Sequence, residues 1–251
     1  MITVAGMRLY ADHKSEMVSQ LLFGETFSLI ESRDDWLYIE AGFDSYRGWV
    51  HQSQAELLDE KAAARLNRLE SMISVSEGEV IIEGGVIKVS PGSTLYSENG
   101  TDSEFELNGC IYRYNGRSIK TIQQISEDIE PLALLFLNSP YLWGGRSCFG
   151  TDCSGFVQTV YKMAGVILPR DASVQATRGR DIHLLEEAAP GDLVFFDNDQ
   201  GEITHTGILL GPSEVIHSYG VVRVDSLDHQ GIFNRDKNKY THKLRLIKRV
   251  L

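Results

Sequence analysis

A single cysteine at the start of an apolar, helix-like run constrains this chain most. A glycine-rich approach, residues 141–146 (YLWGGR), precedes the run, which begins at residues 151–156 (TDCSGF). This order predicts a helix whose first turn carries Cys153. The unpaired amides and positive dipole end of a helix N-terminus favour a thiolate, whereas a free thiol has a pKa of about 8.5. Cys153 is therefore the candidate nucleophile, and we expect its sulphur to be ionised.

Two histidines downstream supply a candidate base. His205 lies in a strand-like run at 203–210 (ITHTGILL), and His217 lies in a second run at 215–219 (VIHSY). They are 12 residues apart (217 − 205), which suits neighbouring antiparallel strands joined by the turn at 211–213 (GPS). The sequence thus predicts that a helix carries the nucleophile and a sheet carries the base.

Composition narrows the class of ligand. The chain has 251 residues and a formal charge of −11, and its 24 basic residues are scattered among 35 acidic ones. A nucleic-acid partner needs a basic face, so we expect none, whereas a cationic or zwitterionic ligand is tolerated. No window approaches the ~18 apolar residues of a membrane span, and residues 1–8 lack the pattern of a secretion signal. We expect no membrane association and a cytoplasmic location, or a periplasmic or secreted one if a leader has been trimmed.

The three cysteines, Cys110, Cys148 and Cys153, form an odd and sparse set. None belongs to a C-x-x-C pair or stands beside a histidine at zinc spacing, so we predict neither a metal site nor a cofactor. A disulfide between Cys148 and Cys153 is the alternative, but it would consume the candidate nucleophile. Cys110 is most simply a small buried hydrophobic residue. His242 has no companion motif and is expected at the surface.

The period of the apolar pattern divides the chain into four parts. Residues 1–55 contain five short alternating runs at intervals of about ten residues, which predicts a small β-barrel. Residues 56–74 carry a helical stripe of apolar side chains and predict a connecting helix. Residues 75–122 return to alternating strands and predict a second barrel. Residues 126–251 run from helix to sheet, which is typical of an α+β domain.

Six motifs in the last of these parts carry a resemblance to a known family. They are YLWGG at 141–145, DCSGF at 152–156, LPRD at 168–171, PGDLVFF at 190–196, HTGI at 205–208 and VIHS at 215–218. In this order they resemble the NlpC/p60 cysteine peptidases, a papain-like clan of bacterial cell-wall enzymes. The two predicted barrels resemble bacterial SH3 domains. The combination is similar to the subgroup that cuts γ-D-glutamyl-L-diamino acid bonds in peptidoglycan fragments.

The resemblance implies a fold and a reaction. The fold is an α+β papain-like catalytic domain preceded by two small SH3-like β-barrels. Cys153 attacks an amide carbonyl, His205 takes the thiol proton and later gives it to the departing amine, and His217 orients the His205 ring. The backbone N–H of Cys153 would hold the oxyanion, together with the hydroxyl of Tyr141, which lies beside the thiol in the family.

The resemblance also implies a substrate site. In the subgroup that takes free peptides, the ammonium of an N-terminal L-alanine is held between the first barrel and the catalytic domain. The matching residues here are Glu16 and Tyr46. The same end of the groove would be lined by Trp143, Asp152, Ser154 and Asp171.

This chain departs from the family pattern at one point of that site. The family's Asp-Ser pair appears here as Asp171-Ala172, with Ser173 one residue later. The γ-D-glutamyl carboxylate would then be held by Ser173 or by Arg170.

These implications predict a peptidase that takes small peptidoglycan-derived peptides, L-Ala-γ-D-Glu-diamino acid, in murein peptide recycling. Two alternatives stay open. One is a cell-wall remodelling hydrolase that acts on intact stem peptides, and the other is a wall-binding module without catalysis.

Overall fold

The computed structural model describes residues 1–100, 104–120 and 128–251. The chain divides into two compact units, one through Gln124 and one from Ile125. The end of the predicted second barrel (121–122) and the start of the predicted catalytic domain (126–127) fall outside the described residues. Within those ranges, no helix is long and apolar enough to cross a lipid bilayer.

The first unit opens with a five-stranded antiparallel sheet, as the alternating pattern of residues 1–55 predicted. Its strands are β1 Val4–Arg8, β2 Met17–Leu22, β3 Phe27–Arg33, β4 Trp36–Ala41 and β5 Arg47–His51. Their order in the sheet is β2-β1-β5-β4-β3. Alternate side chains point to one face, where Met7, Ile39 and Val50 are fully buried in a common core.

The predicted connecting helix over 56–74 is wrong in its extent. Helix α1 spans only Glu60–Leu66, and the chain then forms strand β6, Glu70–Ser74. Met72 fits a helical stripe of apolar residues, yet it pairs opposite Leu95 on a neighbouring strand and is buried there. Pairing in the sheet thus overrides the local period of the sequence.

Two smaller sheets complete the first unit. One contains β7 Gly78–Ile82, β8 Gly85–Val89, β10 Glu104–Leu107 and β11 Cys110–Asn115, and the other contains β6, β9 Thr94–Ser97 and β12 Ser118–Lys120. They share a core around Val80, Leu95 and Phe105. This group of strands begins at β6, before the predicted start at residue 75. Cys110 is exposed rather than buried, since it lies at the tip of the β10–β11 hairpin.

The second unit combines a buried helix with a large sheet. Its helices are α2 Glu130–Leu134, α3 Cys153–Met163 and α4 Ala172–Gln175. Its strands are β13 Arg146–Ser147, β14 Gly150–Thr151, β15 Arg180–Ile182, β16 Leu193–Asp197, β17 Ile203–Gly211, β18 Glu214–Tyr219, β19 Val221–Asp228, β20 Gly231–Asn234 and β21 Lys239–Arg249. Every residue of α3 is buried, because the helix packs against β17 and β18 and is also contacted by α2.

Strand β21 closes the large sheet on itself. The strand order is β15-β21-β16-β17-β18-β19-β20, and β21 pairs with β20 as well. The first part of β21 pairs with β20 and the later part pairs with β16, with Lys243 facing both. The strands from β16 to β21 therefore form a closed barrel. An apolar cluster that includes Val194, Phe196 and Val215 packs among these strands.

Candidate active site

Cys153 is the first residue of α3, as predicted. The residue before it, Asp152, is the N-cap, and its Oδ1 accepts a hydrogen bond from the Gly155 amide at 2.7 Å. Gly155 is required by a close approach, because a Cβ there would lie 2.0 Å from the Gly145 carbonyl oxygen. The glycine-rich approach and the helix start are thus packed backbone against backbone, which fixes the position of Cys153.

Arg170 locks the same helix start. Its Nη2 lies 2.6 Å from Asp152 Oδ2, and its Nη1 lies 3.0 Å from Asp152 Oδ1 and 2.8 Å from Ser154 Oγ. The Gly144 amide also donates to Asp152 Oδ2, at 2.8 Å. This buried, bidentate ion pair aligns α3 with the loop before it. The substrate contacts of Asp152 and Ser154 stay predictions, and the geometry gives both side chains a role in holding the nucleophile.

Cys153 is a neutral thiol in the resting protein, so the expectation of an ionised sulphur is wrong for this state. Burial and then the Asp152 carboxylate raise the pKa of the Cys153 thiol to about 11. Hydrogen bonds to the sulphur from the backbone amides of Thr206 and Ser154, and the Arg170 charge, lower the pKa without outweighing burial. A base must therefore remove the proton. The Thr206 contact places the sulphur beside β17, at the residue that follows His205.

The two predicted histidines are in contact. His205 Nε2 lies 2.8 Å from His217 Nδ1, and both rings are buried. Burial lowers the pKa of His205 well below its ordinary range, and the neighbouring His217 and His242 add to the effect. Burial also lowers the pKa of His217. Both imidazoles are neutral at neutral pH, and Nδ1 of His205 is the ring nitrogen left to act on a thiol.

Asp225 extends this pair, although it belongs to none of the six sequence motifs. Its Oδ2 lies 3.1 Å from His217 Nε2. Arg223 Nε lies 2.8 Å from the same oxygen, and Asn234 Nδ2 donates to it at 3.3 Å. A row of side chains from His205 through His217 to Asp225 therefore crosses three neighbouring strands.

His242 is not the surface residue that was expected. Strand β21 begins at Lys239 and carries His242 into the site. Its ring stacks on that of His205, with 4.1 Å between centroids and 23° between planes. It also meets Tyr219 edge-on at 4.9 Å.

The histidine cluster could hold a metal by distance alone. One nitrogen each of His205, His217 and His242 lie within 4.8 Å of one another. However, the lone pairs of imidazole lie in the ring plane, and the nearly parallel rings of His205 and His242 do not point them at a common centre. The arrangement suits ring stacking, and the predicted lack of a metal stays a prediction.

Tyr141 and Trp143 lie on the glycine-rich approach, and Tyr141 is close enough to Cys153 for the two to interact electrostatically. Burial, followed by the charges of Cys153 and Asp152, raises the pKa of Tyr141 to about 12. Its hydroxyl is therefore protonated and able to donate a hydrogen bond close to the sulphur. Trp143 is 58% exposed, and its role as a wall of the substrate groove stays a prediction. Cys148 and Cys153 are both free thiols, so the disulfide alternative is wrong.

The other predicted substrate residues are exposed or half-buried. Asp171 and Ser173 lie at the start of α4 with exposed side chains. Glu16 and Tyr46 belong to the first unit. Glu16 is exposed just before β2, and Tyr46 is half-buried against the core of the five-stranded sheet. Their contacts with substrate stay predictions.

Comparison with known proteins bears on both units. A model described as the NlpC/P60 family matches residues 138–240, and one described as bacterial dipeptidyl-peptidase Sh3 domain matches residues 8–54. Gamma-D-glutamyl-L-lysine dipeptidyl-peptidase of Bacillus subtilis is 30% identical over 214 residues, which cover 80% of this chain and 71% of the relative. The chain belongs to the NlpC/P60 family. It is a cysteine peptidase of that family, and it carries an SH3 domain.

Two further relatives of this NlpC/P60 peptidase match nearly its whole length. Dipeptidyl-peptidase 6 of Lysinibacillus sphaericus is 26% identical over 256 residues, which cover 91% of this chain and 92% of the relative. The crystal structure of an NlpC/P60 family protein from Bacillus cereus superposes with a TM-score of 0.83 and 21% identity, covering 100% of this chain and 98% of that one. The second likeness shows that the fold is shared.

Proposed function

We propose that this peptidase hydrolyses the γ-D-glutamyl-L-diamino acid bond of peptidoglycan-derived peptides that carry a free N-terminal L-alanine. The observation that carries the proposal is the buried His205–His217 pair, 2.8 Å apart, next to Thr206, whose backbone amide donates to the sulphur of Cys153. The proposal includes a papain-like arrangement of nucleophile and base, and an SH3-like character for the second group of strands in the first unit. A cytoplasmic location goes with it, and cell fractionation tests that location.

The chemistry follows from the ionisation states. The Cys153 thiol is neutral at rest, so His205 Nδ1 takes its proton as the sulphur attacks the γ-carbonyl. The backbone amide at the start of α3 and the Tyr141 hydroxyl donate to the oxyanion. The C–N bond then breaks, His205 gives the proton to the departing amine, and a thioester stays on the sulphur. Water, deprotonated by the same imidazole, hydrolyses the thioester and restores the thiol.

The names of the relatives favour a substrate with a free amino end. A dipeptidyl-peptidase releases a dipeptide from the free N-terminus of a peptide, and the relatives that match most of this chain carry that name. We propose that Glu16 and Tyr46 receive the ammonium, because an ammonium removed from water needs an anion. Of the two candidates for the γ-D-glutamyl carboxylate, exposed Ser173 is the better one, because Arg170 is buried and already bonded to Asp152 and Ser154.

The direct test is hydrolysis of L-Ala-γ-D-Glu-L-Lys and its meso-diaminopimelate analogue, each compared with the same peptide N-acetylated. We expect cleavage of the free peptides only, no cleavage by Cys153→Ala, and a raised KM for Glu16→Gln. Equal rates on free and acetylated peptides would refute the proposed binding of the ammonium, while the proposed reaction class would stand.

The two alternatives give different results. A remodelling hydrolase would release fragments from purified sacculi at rates comparable with those on the free tripeptide. A wall-binding module would bind insoluble peptidoglycan equally well as parent and as Cys153→Ala, with no cleavage by either. The buried thiol and imidazole pair argue against the second alternative, since a binding module has no use for them.

A further inference from the structure

We propose that Asp225 is a positioning residue that fixes the tautomers of His217 and His205, so that an unprotonated nitrogen of His205 faces the nucleophile. The inference rests on the proposed function only in its kinetic consequences. Its structural content concerns where two protons sit in the protein without substrate.

The first step is the charge of Asp225. Burial raises the pKa of the Asp225 carboxyl, but hydrogen bonds from His217 and Arg223 outweigh it and leave the pKa below its ordinary value. The side chain is 3% exposed. Arg223 Nη2 lies 2.9 Å from Oδ1, and Arg223 Nε lies 2.8 Å from Oδ2. Asp225 is therefore ionised, and an ionised carboxylate can only accept hydrogen bonds.

The ionised Asp225 determines which nitrogen of His217 carries the proton. Its Nε2 lies 3.1 Å from Asp225 Oδ2, so Nε2 must carry the proton. In a neutral imidazole the other nitrogen is then an acceptor. His217 Nδ1 accordingly accepts the hydrogen bond that joins it to His205 at 2.8 Å.

His217 in turn determines which nitrogen of His205 carries the proton. Since His217 Nδ1 accepts, His205 Nε2 must donate, and neutral His205 keeps its lone pair on Nδ1. This is the form that a general base needs, whereas the opposite tautomer would present an N–H to the thiol. The Asp225 carboxylate is separated from the thiol by the rings of His217 and His205, and it thus determines which nitrogen of His205 is basic.

Among the residues that the structure describes, Asp225 is the one anion that acts on His217. The rings that face it are His205, His242 and Tyr219. Arg223 acts against protonation of His217, and Lys237 acts against protonation of His242. Among the described residues that act on His217, Asp225 is the acceptor that can select its tautomer.

The parent protein provides the first test. Nitrogen-15 NMR of the protein labelled at histidine distinguishes protonated from unprotonated ring nitrogens. We expect a proton on Nε2 and a lone pair on Nδ1 for both His205 and His217 near neutral pH. A proton on Nδ1 of either ring would overturn the proposal, and this measurement needs no variant that might fail to fold.

The second test is Asp225→Asn, whose amide can donate to His217 Nε2 and so allow the opposite tautomers. We expect kcat to fall by at least ~10²-fold with KM within about twofold, since the comparable aspartate-to-asparagine change behind the histidine of serine peptidases costs ~10⁴ in turnover. We also expect slower alkylation of Cys153 by iodoacetamide at neutral pH and a histidine spectrum in which Nδ1 of His217 is protonated.

Asp192→Asn is the matched control. Asp192 is a buried aspartate of the same unit that pairs with Arg249 at 2.7 Å, just before β16 and away from the histidines. Its loss should lower stability but leave kcat, the alkylation rate and the histidine spectrum unchanged. A purely structural role for Asp225 predicts that both variants behave alike, which would overturn the proposal.

The outcomes also separate this inference from the proposed function. If the parent cuts no γ-D-glutamyl peptide but shows the expected protons on His205 and His217, the function fails and the tautomer assignment stands. If the parent cuts the peptide and Asp225→Asn matches it in kcat and spectrum, the function stands and the role of Asp225 is refuted.

Discussion

Replacing His242 by phenylalanine should make the second unit less sensitive to acid. Burial and then His217 lower the pKa of His242 from the ordinary 6.5 to about 4. Between these values the unfolded chain binds a proton at this position that the folded protein does not. Stability is therefore full above the unfolded pKa and is lost as the pH falls from about 6.5 towards about 4.

The magnitude follows from the two pKa values. Each unit of difference between the folded and the unfolded pKa changes the free energy of unfolding by about 1.4 kcal/mol. The shift of His242 therefore lowers the free energy of unfolding by ~2.4 kcal/mol between about pH 7 and pH 4.5. The ring of His242 is only half-buried, and screening by solvent reduces the figure to about 1.5 kcal/mol. Phenylalanine keeps a flat ring beside His205 and Phe196 but cannot take up a proton. We therefore expect His242→Phe to lose about 1.5 kcal/mol less than the parent over this range.

The assay is urea unfolding at about pH 7 and about pH 4.5. Unfolding is monitored by hydrogen exchange of peptides from β16 to β21, so that the signal comes from the second unit alone. Loss of the hydrogen bond between His242 Nδ1 and the Thr241 hydroxyl, 2.9 Å, lowers the stability of the variant at every pH and so cancels in the difference. His183→Gln, at an exposed position, is the control and should behave as the parent does. An equal loss of stability in His242→Phe and the parent would refute the assignment of a buried, neutral imidazole.

Three further changes test other parts of the site. Tyr141→Phe should lower kcat by ~10²–10³ without raising KM, because it removes one oxyanion donor; steady-state kinetics that match the parent would exclude that role. Arg170→Lys keeps the charge but loses the bidentate geometry to Asp152, and should cost on the order of 2 kcal/mol in urea unfolding; an unchanged midpoint would show that the pair is not holding the helix. Gly155→Ala should abolish activity and lower the melting temperature, because its Cβ would meet a carbonyl oxygen at 2.0 Å, whereas Gly211→Ala, which meets nothing within 4 Å, should do neither.

Helices and strands could be predicted from the sequence where contacts between residues close in sequence determine them. The alternation in residues 1–55 gave five strands, and the glycine-rich approach placed Cys153 on the first residue of α3. The pattern failed at Glu70–Ser74, because Met72 is buried by pairing with a strand more than twenty residues away. When pairing with a distant segment decides that a short apolar run becomes a strand, the spacing of its apolar residues can fit a helix equally well.

The same limit applies to the site. His205 and His217 could be paired from sequence because one short turn joins their strands. Asp225 and His242 enter from β19 and β21, and only the closure of the barrel brings His242 to His205. The ionisation of Cys153 was missed for a different reason, since the helix N-terminus is visible in sequence and the burial that outweighs it is not.

Closure by β21 also sets an order of events during synthesis. The ribosome makes the helix with the nucleophile first, and the strand that carries His242 and joins β16 to β20 comes almost ninety residues later (242 − 153 = 89). Until that strand emerges, β16 and β20 have unpaired edges, which are templates for association with other chains. A partly translated chain therefore holds its cysteine in an unfinished site, and the onset of hydrolysis is tied to the arrival of the strand that also removes those edges.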